Sequence, residues 1–376
     1  MKANPFKPTA GKMPPILIGR EGIIADFEEG IANGAGAPGR LMLITGQRGY
    51  GKTVMLTELG RVAERCGWEV VSDTASDGLC GRLIDALAPK GVGLKGLTLA
   101  PTLALPGVTA SLGGASFAAS EQGALTLREA IEARLRKMPD GAGIAFTIDE
   151  AQAASMEDMV ALATALQHVI RDEDMRDVPD TVKHGVAFVF AALPSLMDEL
   201  LHEKVLTFLR RSMQRDLGDV PVPDVRDAFV ETVTRSGKAI EESVALEAAR
   251  ASGGYPYMVQ LVGYYMWRSA EARRSDAIEG EDVKRAEQDA AWAFGEAVCA
   301  PLLDGLTAAQ RLFVDAVAKD WPSPARSSDI ERRVRRSQSW VSKYRASLIK
   351  ERIIEPAGYG KVRFVVPRLG EYLSRR

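Results

Sequence analysis

The feature that most restricts this chain is the octet Gly46-Gln47-Arg48-Gly49-Tyr50-Gly51-Lys52-Thr53. It meets the spacing G-x-x-x-x-G-K-[ST] in full and sits in the context that spacing requires. The apolar run Leu41–Thr45 before it reads as a buried strand, and about Thr53–Cys66 after it reads as a helix. Glycines at these places let successive backbone N–H groups turn inward around an anion. The helix that follows aims the positive end of its dipole at the same anion. The octet and the next residue, Val54, are therefore expected to cradle the phosphates of ATP. Lys52 supplies a point charge for the β- and γ-phosphates, and the Thr53 hydroxyl a ligand for Mg2+.

A second apolar run, Ile144-Ala145-Phe146-Thr147-Ile148, ends in Asp149-Glu150. Two acids at the carboxyl edge of a buried strand lie where ligands of open α/β sheets bind. Asp149 is expected to hold Mg2+, mostly through water, and Glu150 to polarise the attacking water. Trp68–Ser72 and Ala187–Ala192 read as two more strands. Strands alternating with helices predict an α/β fold: a P-loop NTPase with a parallel sheet covered on both faces. The tip of the Ala187–Ala192 strand is Ala191-Ala192-Leu193, with Ser195 the first hydroxyl, so no polar sensor of the γ-phosphate is assigned there.

Between 88 and 123 the pattern breaks into a Gly-, Ala-, Thr- and Leu-rich stretch. It reads either as a β-hairpin-like insertion or as a flexible loop. Arg210 and Arg211 follow a helical segment, Glu199–Leu209. They read either as an arginine finger for a neighbouring subunit's γ-phosphate, which implies self-association, or as a solvated basic pair. From Asp224 onward the chain is helical, over Val225–Arg235, Glu242–Ala251, Pro256–Ala272 and Gly280–Phe294. The reading is a core over 1–219, a helical lid over 220–300 and a separate block over 301–376.

Charge distinguishes that last block. Residues 305–376 carry sixteen Lys/Arg against seven Asp/Glu, a balance of +9, within a chain whose net charge is −2. An acidic body with a basic tail is the electrostatic footprint of a nucleic-acid contact. The block parses as Leu306–Ala318 with Thr307 as N-cap, a short helix to Val334 capped from Ser327-Ser328-Asp329, and a helix Trp340–Glu351 capped from Ser337-Gln338-Ser339. Two short strands follow, Ile353–Glu355 and Val362–Val366, with Gly358-Tyr359-Gly360 as the tip between them. This is the pattern of a winged helix-turn-helix, whose third helix enters the major groove of duplex DNA. Gln338, Ser339, Ser342, Lys343 and Arg345 are the expected base readers. Lys361 and Arg363 reach phosphates from the wing, and Arg332, Arg333, Arg335 and Arg336 hold the backbone. Such a block can also serve as a protein-contact or autoinhibitory module.

Composition excludes other classes. No run of 18 apolar residues exists, which predicts no membrane span. Met1-Lys2-Ala3-Asn4-Pro5 lacks the apolar core of a signal peptide. Cys66, Cys80 and Cys299 form no close set, which argues against a zinc site or disulfide framework and fits a reducing cytoplasm. His168, His184 and His202 have no ligand-like spacing.

Together these pieces resemble the AAA+ superfamily, most of all the origin-recognition-like initiators and the archaeal-type and STAND ATPases. Pro15-Ile16-Leu17-Ile18-Gly19-Arg20-Glu21 matches the element that in that family lies by the adenine and ribose, so the resemblance implies nucleotide contacts for Ile18, Gly19 and Arg20. Gly254-Tyr255-Pro256 is similar to the Gly-x-Pro element of STAND proteins, in which a lid proline packs on the nucleotide; this implies contacts for Tyr255 and Pro256. The resemblance implies three alternatives: an ATP-switched DNA-binding protein, a STAND-type switch, or a nucleotide-binding regulator that does not cut ATP.

Overall fold

The computed structural model describes residues 2–9, 11–34, 37–88, 125–194, 211–366 and 368–375. The insertion expected between 88 and 123 lies outside the described residues but for Ala88, as do Ser195, the helix expected over Glu199–Leu209, and Arg210.

Five parallel strands make the central sheet: β1 Leu41–Thr45, β2 Glu69–Thr74, β3 Gly143–Asp149, β4 Gly185–Ala192 and β5 Met213–Asp216, ordered β2-β3-β4-β1-β5. Strands buried on both faces read as continuous apolar runs, and β1, β3 and β4 do so. Alternate residues then serve opposite layers. Phe146, Ile148, Phe188 and Phe190 pack against α3 Leu79–Leu87, α4 Leu127–Leu135 and α5 Met156–Asp174, with Phe146 stacked on Phe188 at 4.9 Å. Ala145, Ala187, Val189 and Ala191 face α1 Glu21–Ala32 and α2 Lys52–Arg65. These small side chains let α2 lie on β2, β3 and β4. The fifth strand was not expected. Met213-Gln214-Arg215-Asp216 pairs with β1 alone at the sheet edge and carries the Arg215–Asp26 ion pair at 2.6 Å, so it has no apolar run to reveal it.

Helices α6 Val222–Arg235, α7 Glu242–Ser252, α8 Pro256–Ala272 and α9 Gly280–Phe294 lie close to the bounds expected for the region termed the lid. Two-residue strands β6 Ala239–Ile240 and β7 Ala277–Ile278 pair within it. Helix α9 runs through a π-turn, Gly295–Cys299, into α10 Ala300–Asp304.

The C-terminal block contains α11 Ala308–Ala318, β8 Ala325–Arg326, α12 Ser327–Val334, α13 Gln338–Lys350, β9 Ile354–Pro356, β10 Lys361–Phe364 and α14 Leu369–Ser374. Its strands form an antiparallel sheet ordered β8-β10-β9. Thr307 caps α11 in a reciprocal capping box with Gln310, and the Ser337 hydroxyl accepts from Trp340 N–H at the start of α13. The expected cap of α12 is corrected: the helix begins at Ser327 itself, and Arg326 in the N-cap position makes no side-chain bond. Strand β8 and helix α14 were not expected. Helix α14 docks the block on the lid. Tyr372 packs so close on Gly295 that a Cβ there would come within 2.5 Å of the ring, and Arg368 donates to Ala251 O. Lid and block consequently share one apolar core.

The first residues cross the lid as an extended arm. Phe6 is 2% exposed, edge-on to Phe229 at 5.7 Å and against Gly263. Asn4 Nδ2 donates to Tyr264 O at 3.0 Å, and Lys2 pairs with Asp276 at 2.8 Å.

Candidate functional site

The octet forms the turn between β1 and α2. Gly49 (φ +83°) and Gly51 (φ +87°) take the left-handed conformation that lets the loop fold back. Gly49 also meets the lid: a Cβ on it would lie 2.0 Å from the Tyr255 hydroxyl. Lys52 is buried at the start of α2, and its Nζ donates to Gly46 O at 2.9 Å and Gln47 O at 3.2 Å. Burial lowers its pKa below the ordinary value, while the nearby Glu150 and Asp149 carboxylates act against this.

Thr53 Oγ1 donates to Asp149 Oδ2 at 2.5 Å, so residues 96 positions apart meet at the carboxyl edge of the sheet. Asp149 also accepts from Glu150 N–H at 2.8 Å. Glu150 turns off the strand with φ +52° and ψ +39°, a conformation uncommon for a residue other than glycine. Its Oε2 accepts from Gln152 Nε2, and Gln152 Oε1 accepts from Leu193 N–H at 3.0 Å.

A cavity of about 520 Å³ opens between core and lid. The loop lines it from Arg48 through Met55, joined by Ile18 and Arg20 from the Gly-Arg-Glu element, Glu150, and Pro256 of α8. Gly46, Gln47 and Gly19 are not among the residues that line it. Among the described residues that line the cavity, Lys7, Lys12, Arg20, Arg48 and Lys52 stand against one carboxylate, Glu150, so its field suits a polyanion. Arg20 is half-buried; desolvation lowers its pKa against the pull of Glu21, Asp216 and Asp219, and its Nη2 donates to Gly218 O at 2.7 Å.

Several parts of this wall had no expectation attached, among them the arm (Lys7, Pro8, Thr9, Gly11, Lys12, Pro14), Val259 with Gln260 of α8, and Ala297 with Val298 of the π-turn. The arm has a sequence signal, a lone Phe6 between Pro5 and Pro8 flanked by lysines, but only the lid shows what Phe6 enters.

Other expected residues lie elsewhere. Tyr255, 2% exposed, sits behind the loop rather than in the cavity, donating its hydroxyl to Arg48 O and meeting Tyr50 edge-on at 4.9 Å. Arg211 is exposed beside Leu41, His184 and Val186, where β1 and β4 begin, the sheet edge opposite the loop. In the C-terminal block Arg335, Arg336, Gln338, Ser339, Ser342 and Lys343 are exposed in one run across the α12–α13 turn and the first turns of α13. Ser339 Oγ is bonded to Ser337 Oγ at 2.8 Å, and Lys343 lies over the Tyr344 ring at 5.5 Å. Arg345 is half-buried and its Nε has no hydrogen-bond partner. On β10 Lys361 is half-buried, and Arg363 pairs with Glu355 at 2.5 Å. Arg332 pairs with Asp329 at 2.7 Å. Arg333 grips Asp320 with both Nη atoms, at 2.8 and 2.5 Å, and donates to Ala316 O, so its charge ties α12 to α11. Among the described residues no helix is long and apolar enough to cross a membrane, and no three His, Cys, Asp or Glu gather as a metal site.

Residues 296–373 match a family described as a domain of unknown function (DUF8462). No characterised protein matches the chain by sequence. By structure the chain is similar to the Aeropyrum pernix ORC2 protein, solved as ADPNP–ADP complexes, with TM-score 0.62 and 14% identity over 98% of this chain and 96% of that one. It is also similar to Cdc6p from Pyrobaculum aerophilum (TM-score 0.48, 13% identity, 98% and 96% covered) and to the Thermotoga maritima RuvB Holliday junction branch migration motor (0.46, 14%, 95% and 95%). At such identities likeness speaks to fold alone. The first of these similarities, together with the parallel sheet and the loop described above, gives the chain the AAA+ P-loop NTPase fold of that ORC structure.

Proposed function

We propose that this chain binds ATP with Mg2+, hydrolyses it, and uses its nucleotide state to control a DNA contact made by its C-terminal block. The observation that carries this reading is the meeting of Thr53 and Asp149 at 2.5 Å beside Lys52 and Glu150, at the foot of a cavity lined with cations. The loop N–H groups and Lys52 bind the β- and γ-phosphates, and Ile18, Arg20 and Pro256 enclose the base and ribose. A hydroxyl and a carboxylate are hard oxygen donors that suit Mg2+, which needs few protein ligands when phosphates complete its shell. Thr53 and Asp149 would hold it, and when bound it neutralises charge on the transferred phosphoryl group. Glu150 accepts a proton from the attacking water. Arg210 and Arg211 complete the site of a second copy, and the placement of Arg211 on the opposite sheet edge supports a contact in trans rather than in its own site.

The proposed domains are a core over 1–219, a lid over 220–300 and a winged helix over 301–376. The exposed run from Arg335 to Lys343, in a segment (305–376) of charge +9, supports duplex DNA as partner. A second reading, a STAND-type switch in which the block is autoinhibitory, is favoured by its docking on the lid through Tyr372 and Arg368.

The test is ATP turnover by the full chain with and without duplex DNA. Lys52→Ala loses nucleotide binding, whereas Glu150→Gln binds and does not turn over. Turnover by Glu150→Gln at the parent rate overturns the catalytic assignment. Nucleotide-dependent self-association without DNA affinity moves the conclusion to the STAND-type switch.

A further inference from the structure

The tip of β4 offers no polar side chain, yet the structure brings one there from another element. Ala192 lies opposite Thr45 in the β1–β4 register, so Leu193 stands next to Gly46, the first residue of the phosphate loop. Its N–H donates to Gln152 Oε1 at 3.0 Å. The other end of the same amide, Nε2, donates to Glu150 Oε2. Gln152 reaches this place because the chain leaves β3 in a short 3-10 turn, closed by Ala153 N–H to Glu150 O at 2.7 Å and anchored by Ala151, which is buried in the core.

We propose that Gln152 is the positioning residue for Glu150, an inference that rests on the ATPase reading above. Its amide spans the gap between the ends of β3 and β4 and holds one carboxylate oxygen, leaving the other free to accept a proton from water. A neutral amide suits this task. A lysine or arginine in its place would ion-pair with the carboxylate and compete with water for it, and a hydrocarbon would leave it free to rotate. The same bond supports the left-handed backbone of Glu150, which a non-glycine residue keeps only where its surroundings hold it. Because Leu193 adjoins the loop strand, the contact also links the place where phosphate binds to the base that acts on water.

The experiment uses the full chain and three variants: Gln152→Leu, which keeps the shape without the amide; Gln152→Glu, which keeps the shape and adds charge; and Glu150→Gln as control. A fluorescent ATP analogue reports affinity, and steady-state turnover reports kcat. Gln152→Leu is expected to bind nucleotide within about twofold of the parent and to lose roughly 10- to 100-fold in kcat, part of the ~10²- to 10⁴-fold a general base contributes. Gln152→Glu keeps the shape but puts an acceptor where the donor to Glu150 stood, so it should lose kcat as Gln152→Leu does; a residue that only packs would tolerate this isosteric change. Parental kcat in Gln152→Leu or in Gln152→Glu, or lost nucleotide binding in Gln152→Leu, each overturns the proposal. If Glu150→Gln is inactive while Gln152→Leu is parental, only the role of Gln152 fails. If the parent turns over no faster than Glu150→Gln, the ATPase reading fails and this inference with it.

Discussion

Removing one oxygen atom tests how the lid is fastened to the phosphate loop. In Tyr255→Phe the ring remains against Tyr50 and Phe294, but the donor to Arg48 O is gone. Tyr255 is 2% exposed and its bond to Arg48 O is part-buried, so the carbonyl it served regains water only in part. An orphaned buried acceptor costs about 1–3 kcal/mol. On the scale of ~2–4 °C per kcal/mol for a unit of this size, that is a fall of roughly 2–12 °C in Tm. If the bond also holds the loop in its binding shape, nucleotide affinity falls by up to about 5- to 150-fold, the equivalent of ~1–3 kcal/mol of coupling.

Gly49→Ala strikes the same contact from the loop side, since its Cβ would lie 2.0 Å from the hydroxyl and 2.8 Å from Cζ, at φ +83°. The double variant removes the worst collision and should cost less than the sum of the singles, as expected for residues in contact. Thermal unfolding and nucleotide titration of all four proteins check this. Additive effects, or a Tyr255→Phe cost below about 0.5 kcal/mol, the level of ordinary surface substitutions, would refute the reasoning. The bond also has a pH signature. Burial raises the Tyr255 pKa above the ordinary value, so in the folded protein the ring stays neutral while the unfolded chain ionises near pH ~10. Stability from this group is therefore full below about pH 10 and is lost as pH rises through the folded value. The parent should lose more stability than Tyr255→Phe on going above about pH 10.

Phe6→Ala removes the one large apolar anchor of the arm, and a buried Phe→Ala costs about 3–5 kcal/mol where the site cannot collapse. The rest of the arm is held by an exposed ion pair and a few hydrogen bonds, so proteolysis after Lys7 or Lys12 should accelerate and nucleotide affinity weaken; unchanged proteolysis would show that Phe6 is not the anchor. Replacing Arg335 and Arg336 with Ala should weaken duplex binding on all sequences and flatten the slope of log K against log salt by about 1–2, as loss of up to two phosphate contacts requires. Fluorescence anisotropy at two salt concentrations measures it, and an unchanged slope would remove both residues from the DNA face.

The sequence by itself determined what is contiguous or periodic. The octet names a strand, a loop and a helix at once, because each glycine and Lys52 are needed at fixed offsets on one turn of chain. The runs at β1, β3 and β4 are legible because burial on both faces leaves no place for polar side chains. Asp149 and Glu150 could be located as the acids that end such a run. The tertiary structure alone decided what depends on pairing across distance. Strand β5 is polar because it lies at an edge, so only its register with β1 reveals it. Tyr255 could be placed near the nucleotide by its neighbour Pro256, but which way its ring turns depends on Gly49 leaving room for a hydroxyl. The basic residues of the C-terminal block are alike in sequence, yet Arg333 is consumed by Asp320 while Arg335 and Arg336 remain exposed. Gln152 carried no signal at all: an amide after a turn acquires a role only when the ends of two strands, Glu150 on one side and Leu193 on the other, are brought within reach of its two ends.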